Sequence, residues 1–275
     1  MFFSKLFLKM GHLPPDSGAR AVQTFSHQAK GGKMFGSKKT KKGCSRRRNR
    51  GHGESGFTLI EMIAVMAVIS VTATIAVPKL TAARARANEV SAIQALKSIH
   101  SAEYRLKLQG SIDANHDGVG EFGFLQEISG VRGLRSNLSE RLDPAFFSAA
   151  YGAVDSGGRV QRSGYFFRMF LPGAGAAPLG EGSKTAAYPA VDADLAQGYF
   201  GVYAWPVSFG RSGTRTFFIN QDGALLASPN DKTHYSGTAN PPAGLAAYIN
   251  GATAMTNSIA NRSLANDGQT WVEIQ

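Results

Sequence analysis

Cysteine is nearly absent: of 275 residues only Cys44 carries a thiol, so no disulfide can form within the chain. Cys44 follows a basic stretch where a lipid-modified cysteine needs an apolar one, which excludes a lipoprotein anchor. Residues 57–275 lack any charge excess, since their 17 basic and 17 acidic side chains cancel. The whole net charge of +11 sits in residues 1–56, where 13 Lys and Arg face only Asp16 and Glu54. The pI of about 9.9 therefore describes the N-terminal stretch, and no nucleic-acid interface is expected in the body of the chain. Enzyme signatures are missing too. His12, His27 and His52 fall in the basic stretch, while His100, His116 and His234 are scattered, without a flanked serine or a metal-ligating pair. Gly173-Ala-Gly175-Ala-Ala-Pro178 breaks the dinucleotide-loop pattern at its last glycine. No enzymatic role and no catalytic residue is expected.

What the chain does have is one long apolar run. After Glu61 no charge appears until Lys79, and Phe57–Val77 counts 21 residues. As a helix these would extend ~31 Å, enough to cross a bilayer core. Upstream lie Lys38-Lys39-Thr40-Lys41-Lys42 and Arg46-Arg47-Arg48-Asn49-Arg50, which by the positive-inside rule would hold that end in the cytoplasm. A carboxylate at the centre of such a segment costs ~2.5–3.5 kcal/mol and less near its end. Glu61 therefore needs either a partner or a route to the interface by snorkelling.

The heptad Gly56-Phe57-Thr58-Leu59-Ile60-Glu61-Met62 resembles the prepilin-type signal of type IV pilins and type II secretion pseudopilins. The resemblance implies cleavage between Gly56 and Phe57 by a prepilin peptidase and N-methylation of the new Phe57 amine. It makes Glu61, fifth in the processed chain, the assembly carboxylate that pairs with a neighbour's Phe57 amine. It also makes Pro78 a helix bend. Without a cysteine after the cut, the chain departs from true pilins that close a C-terminal loop with a disulfide, which favours a pseudopilin or minor subunit. A leader of 56 residues is long for the family; Met34 offers an internal start that leaves 23.

Beyond Pro78, residues 79–108 are rich in helix formers, with Leu80, Ala83, Ala87, Val90, Ile93, Leu96, Ile99 and Leu106 near three- and four-residue steps. That spacing predicts an amphipathic continuation with Gly110 as its stop. Strands are expected at Gly164–Leu171, Tyr199–Val207, Arg215–Asn220, Ala224–Ala227 and Thr270–Ile274, with Asn220-Gln221-Asp222-Gly223 as a hairpin turn. Tyr165, Phe167, Phe170, Tyr203, Trp205 and Phe217 are expected to form the sheet face that covers the helix, and Pro172–Gly182 a flexible loop. The fold class is α+β: a long N-terminal helix, transmembrane in its first half, packed on a small antiparallel sheet in a pilin-like head. The divisions are a leader over 1–56, a membrane segment over 57–77, the continuation over 78–110 and a head over 111–275.

One metal-like spacing stands out. Asp113, Asn115 and Asp117 followed by Gly118 match the first half of an EF-hand-type loop. Asp113, Asn115, Asp117, the Val119 carbonyl and Glu121 would ligate Ca2+, although the twelfth position is Phe124 rather than Glu. The same residues also favour a plain turn. The expectation is a structural subunit of a pilus or pseudopilus at a bacterial inner membrane, single-pass with a periplasmic head. Its partners would be prepilin peptidase, copies of itself or related subunits, and an inner-membrane assembly platform. The alternative is a calcium-dependent binding or adhesin module on an uncleaved anchor.

Overall fold

A computed structural model describes residues 56–183 and 188–274. The basic stretch through residue 55, with Cys44, Met34 and both basic runs, lies outside the described residues, as do 184–187 and 275. The fold is α+β. Helix α1 runs Leu59–Leu108 without a break, 50 residues including Pro78, or ~75 Å of helix. Thr58 caps it: its Oγ1 accepts from the Glu61 amide at 3.3 Å, which satisfies one orphan donor of the first turn. At the far end Arg105 and Lys107 complement the helix dipole. Gly110 takes φ +62°, the left-handed conformation that ends a helix without Cβ strain.

The first half of α1 packs on no other element among the described residues. Every residue from Gly56 to Leu80 is exposed, and α1 is the one helix among the described residues long and apolar enough to cross a membrane. Its few hydroxyls bond back to the helix, Ser70 to Met66 O at 2.8 Å and Thr74 to Ser70 O at 2.9 Å. An apolar surround would then meet no unsatisfied side-chain donor there.

The second half is buried along one stripe: Ala85, Glu89, Ala92, Ala95, Leu96, Ile99, Ala102, Glu103 and Leu106. Leu96, Ile99 and Leu106 fall where expected, but Leu80, Ala83, Ala87 and Val90 face solvent. The upper contact is instead the face of Ala85, Glu89 and Ala92, where Glu89 meets the Thr214 amide and Arg215.

The sheet has seven antiparallel strands. These are β1 (Arg159–Arg162), β2 (Tyr165–Pro172), β3 (Pro178–Gly180), β4 (Gly201–Pro206), β5 (Thr216–Asn220), β6 (Leu225–Ser228) and β7 (Val272–Glu273). The order is β1-β2-β4-β5-β6-β7, with β3 also on β2. β2, β4, β5 and β6 coincide with expected strands, and Thr270–Ile274 shrinks to β7. β1 went unread, because Arg-Val-Gln-Arg carries one apolar residue. The expected flexible loop Pro172–Gly182 instead holds β3, paired with Phe170–Pro172, and the buried Ala176. The β5–β6 turn is as expected, with Gly223 at φ +75° and its amide on Asn220 O at 3.1 Å.

Both faces of the sheet are covered. Tyr165, Phe167, Met169, Val202, Ala204, Phe217, Ile219 and Leu225 pack with the second half of α1. Phe166, Phe170, Tyr203, Trp205, Phe218 and Leu226 pack on the other side against Tyr235, Ala247, Tyr248 and Trp271. The expectation of a single helix-covering face is thus corrected: Phe170, Tyr203 and Trp205 belong to the opposite face. Residues alternate faces along a strand, so the near-continuous apolar runs of β2 and β4 marked a sheet buried on both sides. The C-terminal cover has almost no regular structure and is tied by side chains. Tyr203 Oη donates to Gly244 O at 3.1 Å and accepts the Ala247 amide at 3.0 Å. Trp205 Nε1 donates to Gly237 O at 2.8 Å.

Candidate functional site

The outstanding surface is the N-terminal half of α1. Phe57 is 72% exposed, and Leu59, Ile60, Ile63, Met66, Ile69 and Val71 project from all sides of the helix. A helix apolar all round is either buried in protein or set in lipid. Glu61 sits in its first turn, three residues after the Thr58 cap, where a carboxylate meets the positive end of the helix dipole. That local role gives Glu61 a reason to be there that the sequence reading did not weigh. Gly56 and Phe57 precede the helix as extended, exposed chain. Pro78 lies inside the helix, four residues beyond Thr74.

The loop over 113–121 is built as a turn closed by its own hydrogen bonds, and nothing in it supports the calcium reading. Asp113 accepts the Asp117 and Gly118 amides at 3.1 and 3.0 Å. Asp117 accepts the Val119 amide at 2.8 Å and Gln197 Nε2 at 2.7 Å; these bonds hold its carboxyl below the usual range. Asn115 donates to Asp194 at 2.6 Å. Val119 stays at the loop surface. Glu121 is turned inward and committed: Oε1 takes the Ala114 amide at 2.6 Å and Oε2 pairs with Arg135 at 2.6 Å. Among the described residues no group of three acid, His or Cys side chains is placed to hold a metal.

Glu121 belongs to a buried polar hub that the sequence reading missed. Glu103, Glu121, Glu127 and Glu181 are all fully or almost fully buried, around one guanidinium, Arg135, whose side chain is 6% exposed. Arg135 donates to Glu121 through Nε at 3.2 Å and Nη2 at 2.6 Å. Its Nη1 reaches Glu127 at 3.0 Å. Burial opposes the charge on Arg135, but Glu127 and Glu121 outweigh it and keep it protonated. Glu181 accepts the Gln126 and Leu125 amides at 2.8 and 3.3 Å, yet burial and the nearby Glu127 push its pKa up to about 8. Glu103 accepts the Gly123 amide at 2.8 Å, and its other oxygen has no partner among the described residues. Burial, with Glu127 and Glu181 adding to it, raises its pKa well above the usual range.

Four carboxylates around one cation therefore hold the backbone of 121–127 beneath α1. All four are buried away from solvent. A signal for the hub was present: Glu89, Leu96 and Glu103 recur at seven-residue spacing on the buried stripe, and charges on such a stripe must find buried partners. Glu89 finds its own in the 214–215 segment, with the Thr214 amide at 3.0 Å and Arg215 Nε at 2.8 Å.

The family model described as "Protein of unknown function (DUF2950)" matches residues 53–229. No pilin or prepilin-signal family matches, which overturns the resemblance drawn from Gly56–Met62. No curated protein and no solved structure matches the chain. The match spans well over half of the residues, from just ahead of the Thr58 cap to the strand β6 and the proline after it, and the chain belongs to the DUF2950 family.

Proposed function

We propose that this protein is a non-enzymatic, single-pass membrane subunit that presents its sheet head on the far side of the membrane from its basic N-terminal stretch and assembles with further copies through α1. The observation that carries the reading is the contrast within α1. Gly56–Leu80 is apolar and wholly exposed, and the same unbroken helix is then packed into the head. The basic residues ahead of Gly56 orient the chain by the positive-inside rule, which sets the head in the periplasm of a bacterial inner membrane.

In this reading a membrane peptidase cuts between Gly56 and Phe57. The freed Phe57 amine, methylated or not, then faces Glu61 of a neighbouring copy. Charge pairing in low dielectric is strong, and an unpaired subunit is penalised, which favours docking in register into a filament. Two features support it. The compact unit that holds helix and sheet starts at Phe57, and Glu61 makes no salt bridge among the described residues. A second reading is favoured by the Thr58 cap, which accommodates Glu61 without a neighbour: an uncleaved anchor presenting a binding head.

Intact mass of the membrane-extracted protein separates the two. Loss of residues 1–56 supports assembly after processing; a retained N-terminal stretch supports the plain anchor. Gly56→Leu should leave an uncut precursor on a gel, and normal processing of that variant would remove the cut site from the reading. Glu61→Ala should be cut normally yet fail to co-purify with a differently tagged copy.

A further inference from the structure

Beyond its apolar run, every exposed charge on α1 is basic: Lys79, Arg84, Arg86, Lys97 and Arg105. The acids of that half, Glu89 and Glu103, are buried. Three of these cations lie close behind the membrane-length segment. With the span ending at Val77, Lys79 stands ~3 Å beyond it along the axis, Arg84 ~10 Å and Arg86 ~14 Å. Lys79 and Arg86 are one heptad apart and so share a side of the helix. None of the three side chains has an ion pair or hydrogen bond among the described residues.

The head adds a further cation at the same end. Its contacts climb α1 in order: Asn88 Nδ2 donates to Ser212 O at 2.8 Å, Arg215 Nε to Glu89 at 2.8 Å, and Tyr104 Oη to Gln221 O at 2.9 Å. The loop before β5 therefore belongs to the end of the head nearest the apolar half. It is closed by the Ser212 amide on Ser208 O at 2.9 Å and the Gly210 amide on Gly213 O at 2.8 Å. Arg211 stands on it, exposed and equally unpartnered among the described residues. Acids there are already matched: Glu89 is paired with Arg215, and Asp231, after β6, is followed by Lys232. Lys79, Arg84, Arg86 and Arg211 thus gather at the neck where α1 enters the head.

A bilayer that holds the first half of α1 brings its headgroups to this neck without any separate partner having to arrive. The headgroup layer is ~5–8 Å deep on each side of the hydrocarbon, and the Debye length at physiological salt extends its field by ~8 Å. Lys79 falls inside the layer, and Arg84 and Arg86 fall within its field. Basic residues on the translocated side also work against the positive-inside signal, so orientation does not account for them. Charge complementarity selects headgroups with a net negative charge over zwitterionic ones, and a guanidinium matches phosphate oxygens through paired donors.

We propose that the neck binds anionic phospholipid headgroups in the leaflet from which the head emerges, through Lys79, Arg84, Arg86 and Arg211. The site rests on the membrane reading of α1 and is independent of cleavage and assembly.

The test uses the full chain in nanodiscs of equimolar phosphatidylcholine and phosphatidylglycerol. The photo-crosslinking residue p-benzoylphenylalanine replaces Ala83, exposed beside the neck cations, in one sample and Ile69 in another. A local readout is needed because the basic N-terminal stretch attracts the same lipids in the other leaflet. Adducts are identified by mass. At about 20 mM salt, position 83 should take phosphatidylglycerol about fivefold over phosphatidylcholine, and at about 0.5 M salt the preference should shrink toward parity. Lys79→Gln, Arg84→Gln, Arg86→Gln and Arg211→Gln combined should abolish it at the wild-type melting temperature, since all four side chains are exposed. Position 69 should take up lipid of both kinds. No lipid adduct at 69 would overturn the membrane reading and the headgroup site with it. With lipid bound at 69, three results overturn the headgroup site alone: equal labelling by the two lipids at 83, a preference that survives the fourfold variant or high salt, or adducts at 83 only to a second protein copy.

Discussion

The two halves of α1 share one backbone and follow opposite rules. From Leu59 to Leu80 the large aliphatics point in every direction, and none of the described residues covers them. From Thr81 to Leu108 only one stripe is buried, and its upper part holds Ala85, Ala92, Ala95, Glu89 and no large aliphatic. The difference is one of pattern: the exposed half is apolar in every direction, whereas the packed half keeps its buried residues to one stripe.

The harshest way to break the contrast is to empty the hub under the second half. Arg135→Ala would leave Glu121 and Glu127 buried without their cation, a loss of ~3–5 kcal/mol. The head should melt far earlier in calorimetry or not fold at all, while membrane insertion of the first half persists in a carbonate-extraction assay. Retention of a wild-type melting temperature would show that the hub carries no stability. A more even-handed comparison deletes one aliphatic from each half. Leu96 is fully buried, so Leu96→Ala should cost ~2–5 kcal/mol. Ile69 is exposed, and Ile69→Ala should leave the head's transition where it was. Equal shifts from the two would mean that the first half also packs on the head.

That contrast also explains what was legible in the sequence. The membrane-length run, the continuous helix, the four central strands and the Gly223 turn could be read, because each is written in local pattern: length, charge gaps, period two, a glycine at the turn. The face assignment of Phe170, Tyr203 and Trp205 could not, since a strand buried on both sides has no alternation to orient it. Of the hub only Glu103, by its place on the helical stripe, left a trace in the pattern; its companions Glu121, Glu127, Arg135 and Glu181 converge from separate elements and could not be read. Glu121 was drawn instead into a loop pattern whose spacing it fits, while one of its oxygens takes the Ala114 amide and the other is committed to Arg135. The heptad at Gly56 shows the reverse hazard. Seven residues resembled one family, yet the match over 53–229 is to another; Thr58 and Glu61 at capping spacing show that helix starts alone can favour such a string.

Acids sharpen the comparison by pH. Each half of α1 opens or closes around glutamates, but only the second half buries one completely, Glu103, next to Glu181. The unfolded chain releases the Glu181 proton near 4.5 and the folded head holds it to about 8. Raising the pH through that window therefore favours unfolding, by up to ~1.4 kcal/mol per pH unit for each such group. Glu103 acts in the same direction. The head should be more stable at pH 5 than at pH 8, and Glu181→Gln should flatten that slope in denaturant titrations. A slope unchanged by Glu181→Gln would place the titration elsewhere. Glu89 opposes the trend at the acid end. Its burial is outweighed by the Thr214 amide and Arg215, so its lowered pKa gives stability above the ordinary carboxylate range that is lost as the pH falls through its folded value.

The smallest effect tests the other end of the helix. Thr58→Ala removes the acceptor of the Glu61 amide and should cost about 1 kcal/mol of local helix stability. The head lies at the other end of a long helix, so its melting temperature should not move. Hydrogen exchange should report the change at Glu61 and Met62, whose amides bond to Thr58, about fivefold faster if the cap contributes its usual share. The amide of Ile99, deep in the second half, should exchange as before. The result also decides between the two accounts of Glu61. If the first turn frays in Thr58→Ala, the carboxylate sits where it does at least partly for its own helix. If protection at Glu61 survives the loss of the cap, some contact outside the chain must be holding that turn. In the assembly reading proposed above, that contact is the charged terminus of a neighbouring copy, and acetylating a Phe57 amine should restore the fraying.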